Sequence, residues 1–108
     1  MSEEKLSSFL KTGSDWSRIK TSVPGIFILK MPAYKGIPAR LAVELNPPDH
    51  VGSPTKKRGL VLRTKAELEE FRLLFQFEKL TPLLESVDRV NPQTRLSSPR
   101  PSEDIIEI

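Results

Sequence analysis

Three short runs of β-forming residues, each bounded by proline or glycine, constrain the fold of this chain most strongly. Residues 25–31 read GIFILKM and end at Pro32, residues 40–45 read RLAVEL and precede Asn46-Pro47-Pro48, and residues 58–63 read RGLVLR. Runs of this length that are rich in Ile, Leu, Val and Phe predict strands. The connections between them are turn-rich, so we expect an antiparallel arrangement.

Helical patterns flank the strands on both sides. Residues 2–11 have an acidic first turn and place their apolar residues on one face. Thr64 and Glu67 have the spacing of a capping box. The helix after that cap has a wide apolar face, made by Leu68, Phe71, Leu74 and Phe75. Thr81-Pro82 predicts the start of a second helix that ends at Asn91-Pro92, and one longer helix kinked at Pro82 is the alternative.

This order of elements predicts an α+β domain over residues 1–92. We expect an antiparallel sheet of three to four strands, with an N-terminal helix and one or two C-terminal helices packed on one face. Residues 14–24 do not favour one type of secondary structure. Residues 93–108 are polar and proline-bearing, which predicts a mobile acidic tail. Its final EDIIEI could add a strand or bind a protein partner.

The composition argues against several classes of function. No apolar run is long enough to span a membrane, and the N-terminus lacks a signal-peptide core. Without cysteine the chain has no disulfide or thiolate metal site, and His50 is its single histidine. It has no phosphate-binding or dinucleotide-binding glycine motif. We therefore expect a cytoplasmic protein that is not an enzyme and uses no metal or cofactor.

The charge is distributed unevenly along the chain, although the net charge is only +3. Residues 13–65 carry ten Lys or Arg against three acidic residues, whereas residues 66–108 carry five against nine. This asymmetry suggests a polyanion as the partner of the first part.

The candidate ligand contacts lie in that basic part. Lys56, Lys57 and Arg58 precede a strand in a loop of Gly, Ser and Pro, where they can reach phosphates. A solvated hairpin tip is the alternative interpretation of this cluster. Further basic residues lie on or beside strands and could make one sheet face or rim basic: Lys30, Lys35, Arg40 and Arg63.

Aromatic residues in the basic part are candidates for stacking on bases, because single strands are held by aromatic rings beside a cationic track. Trp16 and Tyr34 are predicted to be exposed, whereas Phe27 fits either a stacking role or the core. The aromatic residues of the C-terminal half have a different explanation, since they lie on helices. Phe71 and Phe75 fit a helix face that packs on the core or on a dimer mate. We expect Phe71, Phe75, Phe77 and Leu84 to form an oligomer interface.

The region 25–75 resembles the single-stranded-DNA-binding domain of the transcriptional coactivator called positive cofactor four. The resemblance rests on RLAVEL, a turn-rich loop and GSPTKKRGLVLRTKAELEEFRLL. It implies a curved antiparallel sheet, dimerisation through helices, and DNA contacts from Lys57 and Arg58, with Lys30 as a further strand lysine. The chain departs from that family where NPPDH replaces the expected aromatic residues, and it adds an N-terminal segment and a second helix.

The whole chain is similar to a second group, the ThermoDBP-like single-stranded-DNA-binding proteins of thermophilic archaea. These combine a sheet with helices and lack an OB fold. Both resemblances imply single-stranded DNA as the ligand. We therefore expect a nucleoid-associated homodimer or higher homo-oligomer that binds single-stranded DNA with little sequence preference. The alternatives are a protein-interaction module or accessory factor that binds an acidic partner, and an RNA-binding protein, because the sequence does not separate RNA from DNA.

Overall fold

A computed structural model describes residues 3–92 of the chain. Within that range the chain forms three helices and one four-stranded sheet. In chain order they are α1 (Glu3–Thr12), β1 (Arg18–Lys20), β2 (Ile26–Met31), β3 (Arg40–Leu45), β4 (Leu60–Leu62), α2 (Lys65–Phe75) and α3 (Leu80–Val90). The arrangement confirms the predicted α+β class, with an N-terminal helix, an antiparallel sheet and two later helices.

The four strands follow one another across the sheet in chain order, and all three pairings are antiparallel. Six consecutive residue pairs join β2 to β3, from Ile26 opposite Leu45 to Met31 opposite Arg40. The strand β3 has the bounds that the sequence predicts. The outer strands β1 and β4 are short, with three residues each. The central pair β2–β3 is therefore the longest part of the sheet.

Both faces of the central strands are largely buried. Residues opposite each other in the register share a face. The first face, called here the Phe27 face, carries Phe27, Leu29, Met31, Ala42 and Glu44, all of them buried. Leu29, Met31 and Ala42 form a core cluster, and Val61 packs against it. The second face carries buried Ile28 and Lys30 together with the half-buried Leu41, Val43 and Leu45.

The strand β1 comes from the segment whose sequence favours no type of secondary structure. Its pairing with β2 extends beyond its own residues, because the Trp16 amide donates to the Lys30 carbonyl at 2.7 Å and the Lys30 amide donates to Ser17 at 3.0 Å. Trp16 adopts a φ of 64°, a left-handed conformation that is uncommon outside glycine. The chain therefore turns sharply at Trp16 immediately before entering the sheet.

The cap of α2 is confirmed as the sequence predicts it. The Glu67 amide donates to the Thr64 hydroxyl at 3.1 Å, which satisfies one of the unpaired amides of the first turn. The Glu67 carboxylate reaches back and accepts from the Arg63 amide at 2.8 Å, one residue before the cap. The helix then runs for eleven residues.

The predicted start of α3 was wrong by two residues. The helix begins at Leu80, its N-cap is Lys79, and no side chain bonds to the first-turn amides. Thr81 thus lies inside the helix, and Pro82 occupies the first turn, where a missing amide hydrogen breaks no helical bond. Residues 76–79 are not helical and separate α2 from α3, so the two are distinct helices and Pro82 does not kink one long helix. Asn91 ends α3, as predicted.

The chain divides into two compact units, and the division falls between Arg72 and Leu73, inside α2. The first unit holds the sheet, and the second holds α3. The predicted acidic tail, residues 93–108, lies outside the described residues. In the part of the chain that the structure describes, no helix is long and apolar enough to cross a membrane.

Candidate nucleic-acid interface

A buried carboxylate lies beneath the predicted basic cluster. Glu44 on β3 is fully buried, and its side chain accepts bonds from three residues. Arg18 on β1 donates from Nε to Oε1 and from Nη2 to Oε2, the latter at 3.1 Å. The Gly59 amide donates to Oε2 at 2.7 Å, and the Asn46 side-chain amide donates to the same oxygen at 3.1 Å. Glu44 therefore links β1, β3 and the residue just before β4.

The same residues hold the backbone of the basic segment, defined here as Lys56–Arg58. Asn46 binds Lys56 twice, because its Nδ2 donates to the Lys56 carbonyl at 2.8 Å and its Oδ1 accepts from the Lys56 amide at 3.0 Å. Arg18 Nη2 also donates to the Lys57 carbonyl at 2.8 Å. Asn46 and Arg18 thus fix the backbone of the basic segment, while the side chains of its three residues are exposed.

The ionisation of Glu44 follows from these contacts. Burial by itself raises the pKa of Glu44, but bonds from Arg18, Gly59 and Asn46 and the positive charge of Arg18 together outweigh it. The pKa of Glu44 falls from its ordinary value of 4.5 to about 2. The hydrogen bond to Glu44 raises the pKa of Arg18 in turn. At neutral pH the pair is therefore ionised and neutral as a unit.

The basic segment also contacts the predicted stacking residue Trp16. The Arg58 guanidinium lies over the Trp16 ring, 4.6 Å from its centroid, which is a cation–π contact. Trp16 remains 48% exposed in spite of this contact. An exposed indole and a guanidinium are thus in contact, and two exposed lysines directly precede that arginine in the chain. Trp16, Lys56, Lys57 and Arg58 are called here the Trp16 patch.

Gly59 is required where the basic segment enters β4. A Cβ atom on Gly59 would overlap the Leu45 carbonyl oxygen and would lie 2.9 Å from the Asn46 Cβ. Only glycine allows the chain to pass this close to the end of β3. The glycine therefore brings its own amide within reach of Glu44.

Tyr34 and Lys35 form a separate group. They lie in the turn between β2 and β3, whereas the basic segment belongs to the connection at the other end of β3. Tyr34 and Ile37 exchange two backbone hydrogen bonds of 2.9 Å across this turn, and Lys35 and Gly36 both have positive φ. The Lys35 ammonium lies 5.3 Å from the centroid of the Tyr34 ring, and Tyr34 is 62% exposed. This group is a second exposed aromatic–cation pair.

Two predicted contact residues are buried instead of exposed. Phe27 is only 2% exposed and belongs to the core, so its ring offers no face to a base. Lys30 is buried on the opposite face of the sheet, where its ammonium donates to the Leu10 carbonyl in α1. The sequence suggested that Lys30 marks a solvated face. The end of α1 covers that face and supplies the acceptor that a buried ammonium needs.

The remaining predicted basic residues do not join the Trp16 patch either. Arg40 is half-buried at the start of β3, opposite Met31. Arg63 forms an ion pair with Glu67, with 2.7 Å between Nη2 and Oε2, so its charge is offset at the cap of α2. The predicted basic rim is thus reduced to the Trp16 patch and the turn at Tyr34.

The structure adds Arg18, Glu44 and Asn46, which the sequence did not single out as site residues. Glu44 and Asn46 alternate along β3 and the residue that follows it, and this places both on the side of the basic segment. A weak signal was therefore present, because two polar residues continue the face that begins with Ala42. Arg18, the partner of Glu44, is 26 residues away in the sequence, so pattern alone could not pair the two.

The residues of the predicted oligomer interface are placed as follows. Phe75, Phe77 and Leu84 expose more than half of their surface, and Phe71 is half-buried. The second unit also exposes apolar residues that the prediction did not include, namely Leu73, Leu74, Leu83, Val87 and Val90. Its described helical residues thus carry a large apolar surface.

Over residues 3–92, no group of three or more His, Asp or Glu side chains could hold a metal ion. Comparison with family models found no match, and comparisons with curated proteins and with solved structures found none either.

Proposed function

We propose that this protein binds single-stranded DNA with little sequence preference, through the Trp16 patch. The observation that carries the proposal is the contact between Arg58 and the half-exposed ring of Trp16, beside exposed Lys56 and Lys57. An aromatic ring next to a cationic track is the arrangement that holds unpaired strands, because every base has a stacking face and every linkage a phosphate.

The proposed division of roles is simple. Trp16 stacks on a base through the ring surface that Arg58 leaves open. Lys56, Lys57 and Arg58 neutralise phosphates and release counterions. A base inside a duplex is already stacked on its neighbours, so the indole favours single strands over duplexes. No base-edge contact is part of this arrangement, which supports binding without sequence readout.

The turn at Tyr34 and Lys35 is proposed as a secondary contact for a strand that is long enough to reach it. Its exposed ring and adjacent ammonium repeat the chemistry of the Trp16 patch on a smaller scale. A protein with these contacts would act on exposed strands at the nucleoid during replication, repair or transcription. Membership of the ThermoDBP-like group is a hypothesis that rests on the sequence resemblance.

The experiment measures fluorescence anisotropy of a labelled oligonucleotide at two salt concentrations, with the single strand, its duplex and an RNA of the same sequence. We expect salt-sensitive binding that favours the DNA single strand over the duplex. The K56A/K57A/R58A variant should bind more weakly. Its plot of log K against log salt concentration should be less steep by about two, because each phosphate contact to a single strand contributes about 0.7 to that slope. Wild-type binding that is equally tight to the duplex, or absent at low salt, would refute the proposal.

A second proposal concerns oligomerisation, and the exposed apolar residues of the second unit favour it. We propose that Phe75, Phe77 and Leu84 meet a second copy of the chain. Exposed leucine and phenylalanine side chains of a helical unit lose contact with water when two copies pair. A protein-interaction module is the rival, in which a different protein covers this surface. The oligomeric state of the pure protein separates the two.

A further inference from the structure

The contacts of Glu44 suggest a role that no surface residue fills. Its carboxylate is the most buried charged group among the described residues. Each of its partners either adjoins the basic segment in the chain or binds the backbone of that segment. The Gly59 amide binds it directly. Asn46 Nδ2 donates both to Glu44 and to the Lys56 carbonyl, and Arg18 Nη2 donates both to Glu44 and to the Lys57 carbonyl.

We infer that Glu44 is the positioning residue of the nucleic-acid interface, and that Arg18 works with it instead of contacting phosphate. This inference rests on the proposed function for the identity of the ligand. A loop that carries three adjacent cations repels itself, and its exposed residues lack a core to order them. The Glu44 network orders this loop before the ligand arrives, which reduces the entropy lost on binding. Because the network binds the backbone of Lys57 and Gly59, on both sides of Arg58, it also keeps the Arg58 guanidinium over the Trp16 ring.

The sign of the charge makes this inference testable. Glu44→Gln removes a negative charge close to a cationic site. If Glu44 acted only through its charge, the variant would attract a polyanion more strongly and bind single-stranded DNA more tightly. If Glu44 positions the basic segment, the variant binds more weakly although it has lost a negative charge near the site. The two accounts therefore predict changes in opposite directions.

The binding experiment compares Glu44→Gln with Glu69→Gln on a labelled oligodeoxythymidine. Glu69 is an exposed carboxylate paired with Arg72 in α2, so its replacement changes the net charge equally without touching the basic segment. We expect Glu44→Gln to weaken binding about threefold to tenfold, with Kd for Glu69→Gln unchanged or slightly lower. Binding by Glu44→Gln that equals or exceeds the wild-type affinity would overturn the inference.

Arg18→Lys provides a second variant that keeps the charge. Lysine cannot donate to both Glu44 oxygens and the Lys57 carbonyl at once, because it lacks the planar fork of arginine. A positioning role predicts weaker binding for Arg18→Lys, again about threefold to tenfold. A direct phosphate contact from residue 18 would survive this substitution, so near wild-type affinity would contradict the inference. This variant decides the question if Glu44→Gln does not fold.

A readout without ligand separates this inference from the proposed function. Amide hydrogen exchange of the free protein should be faster at Gly59 and Lys56 in Glu44→Gln than in the wild type. The Gly59 amide loses its carboxylate acceptor, and Asn46, the acceptor of the Lys56 amide, loses its own bond to that carboxylate. The emission of Trp16, the single tryptophan of the chain, should change as Arg58 is released. Unchanged exchange and emission would refute the positioning role. Failure of the wild type to bind DNA would refute only the proposed function.

Discussion

At the scale of single residues, Glu44 determines how the candidate interface is held. It is a carboxylate on a strand of the sheet, where an unpaired charge would be strongly unfavourable. Arg18, Asn46 and the Gly59 amide satisfy both of its oxygens. Removing one partner from such a group leaves a buried charge uncompensated, so each contact depends on the others.

The first prediction concerns stability at acidic pH. The pKa of Glu44 is lower in the folded protein, about 2, than its ordinary value of 4.5. Its contribution is therefore fully present above about pH 4.5 and is lost as the pH falls toward 2. Each unit of pKa corresponds to about 1.4 kcal/mol, so the loss is on the order of 3 kcal/mol. Urea unfolding of the wild type between pH 6 and pH 2 should show it.

The control for this prediction is Glu44→Gln, which cannot titrate at position 44. Its free energy of unfolding should be lower at pH 6 and should change less as the pH falls. Parallel curves for the two proteins would show that Glu44 does not carry the acid dependence.

Gly59 gives the second prediction. Gly59→Ala should lower the free energy of unfolding by about 1–3 kcal/mol, because the added Cβ meets the end of β3 and the chain must shift. Gly36→Asn is the control, since no atom lies within 4 Å of a Cβ at Gly36 and asparagine tolerates positive φ. Chemical denaturation measures both. Equal small effects would contradict the close approach of Gly59 to Leu45.

Lys30 and Phe27 show what a residue-level pattern misses. A lysine in an alternating strand predicts a solvated face, because free ammonium groups avoid the core. Here the Leu10 carbonyl accepts from that ammonium, and this acceptor comes from a helix 20 residues away. No local pattern contains that contact, so the sequence could not assign the two faces of β2.

At the scale of elements, the helix caps differ in how they can be predicted. The cap at Thr64 depends on residues within one turn of each other, and the sequence contains all of them. The start of α3 depends on how the chain turns at residues 76–79, so Thr81-Pro82 marked the helix without locating its first residue.

This contrast gives the third prediction. Thr64→Ala should lower the free energy of unfolding by about 1 kcal/mol, because the Glu67 amide loses its acceptor. Thr81→Ala should be neutral or slightly stabilising, since Thr81 lies inside α3 and alanine is the better helix former. Denaturation of the two variants by urea provides the measurement. A larger loss for Thr81→Ala would place the functioning cap at Thr81.

The strands show the same dependence on distance. The bounds of β3 follow from its sequence, because alternation and the prolines after it act locally. β1 has three residues, and backbone bonds to β2 define it. Its sequence, RIK, favours no structure by itself. The sequence therefore did not predict β1, which supplies Arg18. For the same reason it did not predict the Arg18–Glu44 pair.

At the scale of the whole molecule, the uneven charge of the sequence locates a basic region, and the fold decides which of its residues stay exposed. Lys56, Lys57, Arg58 and Trp16 were named from sequence, and the structure places the Arg58 guanidinium over the Trp16 ring. The wider basic rim was not found, because ion pairing and burial remove Arg63 and Lys30 from it. Such pairing depends on the fold and leaves no mark on composition.

The fourth prediction concerns assembly. Leu84→Glu should shift the protein toward the monomer, since a charge in an apolar contact is desolvated without a partner. Val51→Glu is the matched control, because Val51 is also exposed but lies in the connection between β3 and β4. Sedimentation velocity over a range of concentrations measures the effect. A monomeric wild type at high concentration would contradict the proposed second copy.

The central claim is that Trp16 and the basic segment form one binding surface, and Trp16 fluorescence tests it most directly. Because the chain has a single tryptophan, its emission reports on this site alone. We predict that titration with an unlabelled oligodeoxythymidine quenches the emission, and that the K56A/K57A variant needs more oligonucleotide for the same quenching. Binding detected by anisotropy while Trp16 emission stays constant would contradict the account, because the strand would then lie elsewhere.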